Sequence, residues 1–108
     1  MIDYTFCSDE FLYAMNDQFL GHKSYTDILT FDYTNEETPE QISGEIFISI
    51  DRIKDNSARF SVPFEDELYR VIIHGVLHLC GYQDESSADK KRMRLKENDY
   101  LILLKKKS

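Results

Sequence analysis

The sequence predicts an α+β fold in which a small mixed β-sheet packs against helices. Two observations carry that prediction. Short runs with strand-like alternation or unbroken apolarity occupy the first half of the chain, and apolar residues with a 3.6-residue period dominate the second. Their order is strand, helix, strand, strand and then helices, which does not fit a regular β-α-β repeat. At 108 residues there is chain for one core, so residues 1–108 read as a single domain. No internal repeat, glycine-rich phosphate loop or dividing linker interrupts it.

Ile2 to Cys7 reads as the first strand, with Tyr4 and Phe6 as strand formers. Ser8 is placed to cap a helix, with Asp9 and Glu10 in the first turn, where the helix dipole favours negative charge. Phe11, Leu12, Met15 and Phe19 recur at helical spacing and are expected to pack in the core until Gly21 ends the helix. Asp27 to Tyr33 alternates, with Leu29, Phe31 and Tyr33 on one face and Ile28, Thr30 and Asp32 on the other; it reads as an antiparallel edge strand. Residues 34–43, with Pro39 and no apolar period, form a solvated loop. Glu45 to Ile50 is nearly all apolar, as a central strand covered on both faces would be, with Ile2 to Cys7 its parallel neighbour.

Asp51 is expected to cap a short helix through Ala58, and Pro63 marks the approach to the next helix, Phe64 to Cys80. In that helix Leu68, Val71, Ile72, Val76 and Leu79 hold the apolar period, and Gly81 is placed for a left-handed C-terminal cap. Ser86-Ser87-Ala88-Asp89 has the form of a capping box opening the last helix. There Met93, Tyr100, Leu101 and Leu104 are expected to face inward and Lys90, Lys91, Arg94 and Lys96 outward, with Lys105 to Lys107 a frayed basic tail. An open sheet edge beside the Phe64–Cys80 helix would make a groove for an extended substrate.

The formal net charge of −7 argues against general nucleic-acid binding, but the charge is unevenly placed. Residues 1–50 hold ten acidic residues and one basic residue, whereas the stretch from Ser86 onward holds eight basic and three acidic. Any contact with phosphates therefore falls to the C-terminal part. No apolar run reaches the length of a membrane span, and the N-terminus has no export signal. Cys7 and Cys80 are too few for a disulfide framework and read as small buried apolar residues in a reducing, cytoplasmic setting.

The chemistry concentrates in His74-Gly75-Val76-Leu77-His78-Leu79-Cys80-Gly81-Tyr82-Gln83-Asp84. Histidines four apart stack on one helix face, and a turn at Gly81 would bring Asp84 back towards them. Two imidazoles and a carboxylate with one position left open are the donor set of a catalytic zinc site. Histidines at this spacing are also common on ordinary helices; Gly81 and Asp84 narrow the choice. The offsets of four, seven and ten from His74 are those of the zincin pattern H-E-x-x-H-x-x-G-x-x-H. Gly75 stands where that pattern has its general-base glutamate, so the cradle is zincin-like without the peptidase's base. His22 is either a loop histidine or a fourth ligand.

The same segment resembles the signature H-G-x-L-H-L-x-G-Y-D-H of the YbeY family, metal-dependent endoribonucleases of bacterial ribosomal RNA maturation. Thr26-Asp27-Ile28-Leu29-Thr30-Phe31 is similar to the family's T-D-V-L-S-F, Gly44-Glu45-Ile46-Phe47-Ile48 to its G-D-I-x-I, and Asn16 to Gly21 to its N-x-x-Y-R-G. The resemblance implies a metalloprotease-like YbeY fold and a single-strand-specific endoribonuclease acting late in maturation of small-subunit ribosomal RNA, on or near the ribosome. It also implies one zinc ion, other divalent metals being possible, with His74, His78 and Asp84 as ligands and the metal-activated water as nucleophile. Asp27 and Glu45, in the strand motifs, become candidates for the substrate groove, and the proton-transferring residue is left open.

Three departures accompany the resemblance. Gln83 and Asp84 replace the final Asp-His, which lowers the formal charge of the loaded site from +2 to +1 and should favour harder metals such as manganese. Leu20 stands at the position of the family arginine. The family's strand and helix ahead of this region are missing from the sequence. Two alternatives stay open: a zincin-like metallopeptidase, which Gly75 opposes, and a non-catalytic ribosome-associated zinc protein with a closed four-ligand site, which Leu20 favours.

Overall fold

A strand that is apolar at nearly every position has to be covered on both faces and flanked on both edges. The computed structural model, which describes residues 1–107, meets that demand with β1 (Ile2–Cys7), α1 (Asp9–Leu20), β2 (Ile28–Asp32), β3 (Gly44–Ser49), α2 (Ile50–Phe60), α3 (Phe64–Leu79) and α4 (Ser87–Lys107). β3 is central in the order β1-β3-β2, parallel to β1 and antiparallel to β2, as the sequence predicts. This is a mixed three-stranded sheet in an α+β fold. No helix among the described residues is long and apolar enough to cross a membrane.

Pairing in the β2–β3 ladder sets Ile28 opposite Ile48 and Thr30 opposite Ile46. The even-numbered residues of both strands therefore share a face. On that face Ile46 and Ile48 join Ile53 of α2 and Val71 and Leu79 of α3 in the main core. The odd-numbered residues look the other way, where Phe31 meets Phe47 edge-on at 5.8 Å and Phe19 of α1 meets Phe31 at 6.0 Å.

The helices depart from the predicted core in ways that follow from this narrow sheet. In α1 the buried stripe is Leu12 and Asn16, while Phe11 and Phe19 stay 52% and 58% exposed. Three strands are too few to cover a helix's whole apolar side. Asn16 accepts burial because its amide donates to the Ser24 carbonyl at 3.0 Å, tying down the α1–β2 connection. In α4, Met93 and Leu101 are buried but Tyr100 and Leu104 are not. Packing against α3 covers one i, i+4 stripe, and that stripe is Met93, Glu97 and Leu101. The helix runs through Lys107 instead of fraying at Lys105, whose Nζ lies 2.7 Å from Asp66. Cys80 is exposed and Cys7 only half-buried, so neither is a core residue.

Caps fall close to expectation with one exchange. Ser8 accepts the Phe11 N–H, and Ser86 accepts the Asp89 N–H at 3.0 Å. α2, however, is capped by Ser49, whose hydroxyl accepts the Arg52 N–H at 3.2 Å. Asp51 is already inside the first turn and accepts the Asp9 N–H instead. Ser49 donates to Asp9, and the Arg52 guanidinium binds the same carboxylate, joining the starts of α1 and α2.

That junction makes stability depend on pH. The Arg52 hydrogen bond holds the Asp9 carboxyl below its ordinary value, outweighing partial burial. A depressed folded-state value adds stability that is present above the unfolded carboxylate value, near pH 4, and is lost as the pH falls through the folded one. Asp9→Asn should lower the stability to urea by about 1 kcal/mol at pH 7. The gap from the parent should close as the pH falls through the folded-state value of Asp9. A gap of constant size across that range would place the effect elsewhere.

Candidate metal centre

Three acids in the first turn of α3, Glu65, Asp66 and Glu67, complement the positive end of the helix dipole behind Pro63. The helix stacks His74 above His78, with ring centroids 4.6 Å apart. It stops in a Schellman arrangement: Gly81 N–H donates to the His78 carbonyl and Tyr82 N–H to the Leu77 carbonyl, both at 3.0 Å. Gly81 takes φ +100°, a left-handed conformation that a side chain would strain. The chain then doubles back as the sequence predicts and delivers Asp84 to the histidine face.

Asp84 Oδ2 lies 3.3 Å from His74 Nε2 and 3.4 Å from His78 Nε2, and the two Nε2 atoms are 3.1 Å apart. Tetrahedral zinc with bonds of about 2.0–2.1 Å needs its ligand atoms about 3.3 Å apart. All three separations match that spacing, so the donor set fits one small divalent cation. Two imidazoles and a carboxylate suit zinc and tolerate harder ions. The three side chains keep 24–39% of their surface exposed, which leaves a direction of approach open. Among the described residues His74, His78 and Asp84 form the cluster, and His22 and Cys80 do not join it.

A cavity of about 830 Å³ opens beside His74 and Asp84. Its walls are α2, α3 and α4 with the start of β2, so the groove lies between helices, not along the open sheet edge that the sequence suggested. Asp27 lines it. Glu45 does not: as an odd-numbered residue of β3 it projects from the opposite face of the sheet. Arg59, Arg70, Lys90, Lys91 and Arg94 face four carboxylates in the lining, so the cavity escapes the negative balance of the chain. Glu67 and Glu97 lie buried at its base, whereas Arg59, Lys90, Lys91 and Arg94 are exposed at its rim.

Burial lifts the Asp27 carboxyl above the ordinary carboxylate value despite the nearby His74, and burial followed by repulsion from Asp27 does the same to Glu67. Glu97 goes the other way. Burial would raise it, but hydrogen bonds with His74 and Arg70 hold it below the ordinary value. His74 in turn is drawn down by burial yet lifted overall by Glu97, Asp84 and Asp27.

Sequence reasoning missed Glu97 and Arg70. Glu97 Oε2 lies 2.7 Å from His74 Nδ1, and Arg70 donates to Glu97 Oε1 at 3.1 Å and to Asn98 Oδ1 at 2.9 Å. A signal was available. Glu97 stands four residues from both Met93 and Leu101, an acidic residue on an otherwise apolar stripe.

Comparison with known proteins adds to this geometry. The family model described as Endoribonuclease YbeY matches residues 1–105. A protein of Cytophaga hutchinsonii named Endoribonuclease YbeY is 52% identical over 104 residues, 96% of this chain and 71% of the relative. One of the same name from Flavobacterium johnsoniae is 48% identical over 102 residues, 94% of this chain and 71% of the relative. A solution structure of a Thermotoga maritima protein superposes with a TM-score of 0.66 at 34% identity, covering 93% of this chain and 65% of that one.

Proposed function

We propose that this chain, which belongs to the YbeY endoribonuclease family, hydrolyses phosphodiester bonds of single-stranded ribosomal RNA in the cytoplasm, at a metal centre held by His74, His78 and Asp84. Residues 1–108 act as one YbeY-like domain in late maturation of the small-subunit RNA, on or beside the ribosome. The observation that carries the proposal is a three-donor cluster of tetrahedral spacing opening into a cavity with a basic rim.

Zinc, or a harder divalent ion in its place, supplies Lewis-acid chemistry when bound, bringing the pKa of water to about 7 and neutralising charge on a phosphoryl oxygen. The chain's own residues do the rest. Arg59, Lys90, Lys91 and Arg94 draw the phosphates of a strand into the cavity although the molecule as a whole is acidic. Asp27 is the strand-motif carboxyl that reaches the cavity, and burial favours its holding a proton. That makes it the group we assign to proton transfer.

Cleavage of single-stranded RNA by the pure protein should stop with chelator and return with zinc or manganese, while unstructured peptides stay intact. Asp84→His should narrow the rescue to zinc. Chelator-resistant RNA cleavage, or peptide cleavage without RNA cleavage, would overturn the proposal. The rim has its own signature. Replacing Lys90, Lys91 and Arg94 together by alanine should raise KM about tenfold with a smaller change in kcat, and should reduce the salt slope of binding by about two. An unchanged salt slope would remove these residues from the RNA path.

A further inference from the structure

We propose that Glu97 is a positioning residue for the metal centre: it fixes His74 with the proton on Nδ1, so that the lone pair of Nε2 faces His78 and Asp84. This rests on the metal-site reading above and adds a residue from a second helix, α4, to a cluster built from α3 and its C-terminal turn.

An ionised carboxylate has no proton to give, so a 2.7 Å contact between Glu97 Oε2 and His74 Nδ1 is donated by the imidazole. With the proton committed there, Nε2 in the neutral ring is left as the acceptor, and it is the Nε2 atom that lies 3.1 Å from His78 and 3.3 Å from Asp84. A free imidazole has both tautomers open to it; this contact selects the one that binds a cation. The carboxylate itself is pinned. Its other oxygen takes the Arg70 guanidinium at 3.1 Å, with Arg94 at 3.6 Å, and Arg70 is steadied by Asn98 one residue further along α4. Glu97 is 4% exposed. Burying a carboxylate is costly unless it is paired and hydrogen-bonded, and each oxygen here has a partner of its own.

A purely structural role, anchoring α4 to α3 through Arg70, would not require the second oxygen to meet a histidine of the cluster. The two roles separate experimentally. Zinc affinity, measured by chelator competition on the wild-type protein, Glu97→Gln and Glu97→Asp, should fall about 10- to 100-fold in the variants. Nitrogen NMR of the metal-free wild type at pH 8 should find the His74 proton on Nδ1, and in Glu97→Gln that preference should weaken. Thermal melts establish which variant is folded, and either folded variant suffices. The tautomer in the wild type needs no substitution at all. Zinc affinities within twofold of wild type, or a wild-type proton on Nε2, would overturn the role of Glu97 while leaving the metal centre intact. A wild-type protein that binds no zinc would overturn both.

Discussion

His74→Ala, His78→Ala and Asp84→Ala are each expected to abolish stoichiometric metal binding and to lower RNA cleavage by about 100-fold or more. Loss of a direct ligand should cost at least as much as the 10–100-fold typical of losing a residue that only supports one. The three atoms form one face of a tetrahedron, with spacings of 3.1, 3.3 and 3.4 Å, and any two of them leave a small cation mostly to water. None of the three side chains is core: they stay 24–39% exposed, so the metal-free fold should survive each change. Circular dichroism and thermal melts of the apo variants check this, and metal content is then read on folded protein. Metal retained by any two of the variants would remove the site assignment.

Gly75→Glu, which would supply the general-base glutamate of the peptidase pattern, is expected to destabilise the protein by about 3–5 kcal/mol and to produce no peptidase. Position 75 is buried against the sheet. A Cβ there would lie 2.7 Å from Ile28 Cδ1 and 3.1 Å from Ile46 Cδ1. A glutamate would have to thrust a carboxylate among Ile28 and Ile46, with no partner to compensate it. Such a loss is a large share of a small domain's stability. Gly75→Ala is the control. Crowding from the movable end of Ile28 opposes the roughly 1 kcal/mol gained by replacing a helical glycine, leaving a variant within about 1 kcal/mol of the parent. A folded Gly75→Glu protein that melts like wild type and cleaves peptides would revive the metallopeptidase. The wall of isoleucines thus closes position 75 to the peptidase's base.

Much of this architecture was legible because local chemistry and global fold agree. The apolar run of β3 demanded a central position, Ser8 and Ser86 marked helix starts, and Gly81 announced the turn that returns Asp84. What was not legible depended on how much surface the rest of the chain could cover. Helical spacing placed Phe11, Phe19, Tyr100 and Leu104 inside, but three strands and one helix–helix seam bury only single stripes, and these residues lie beside them. Glu45 is separated from the site by strand parity, since pairing with β2 turns it to the far face while Gly44 and Ile46 look towards α3. Glu97 was hidden by distance, twenty-three residues beyond the histidine it contacts. The periodic pattern could show an acid on an apolar stripe, but only the crossing of α3 and α4 reveals its partner.

The most direct measurement is anomalous scattering at the zinc edge from crystals of the zinc-loaded protein. One peak is predicted, about 2.0–2.1 Å from His74 Nε2, His78 Nε2 and Asp84 Oδ2, with a fourth position facing the cavity. A peak bound elsewhere, or an Asp84 carboxylate turned away from the ion, would contradict the metal centre on which the function rests.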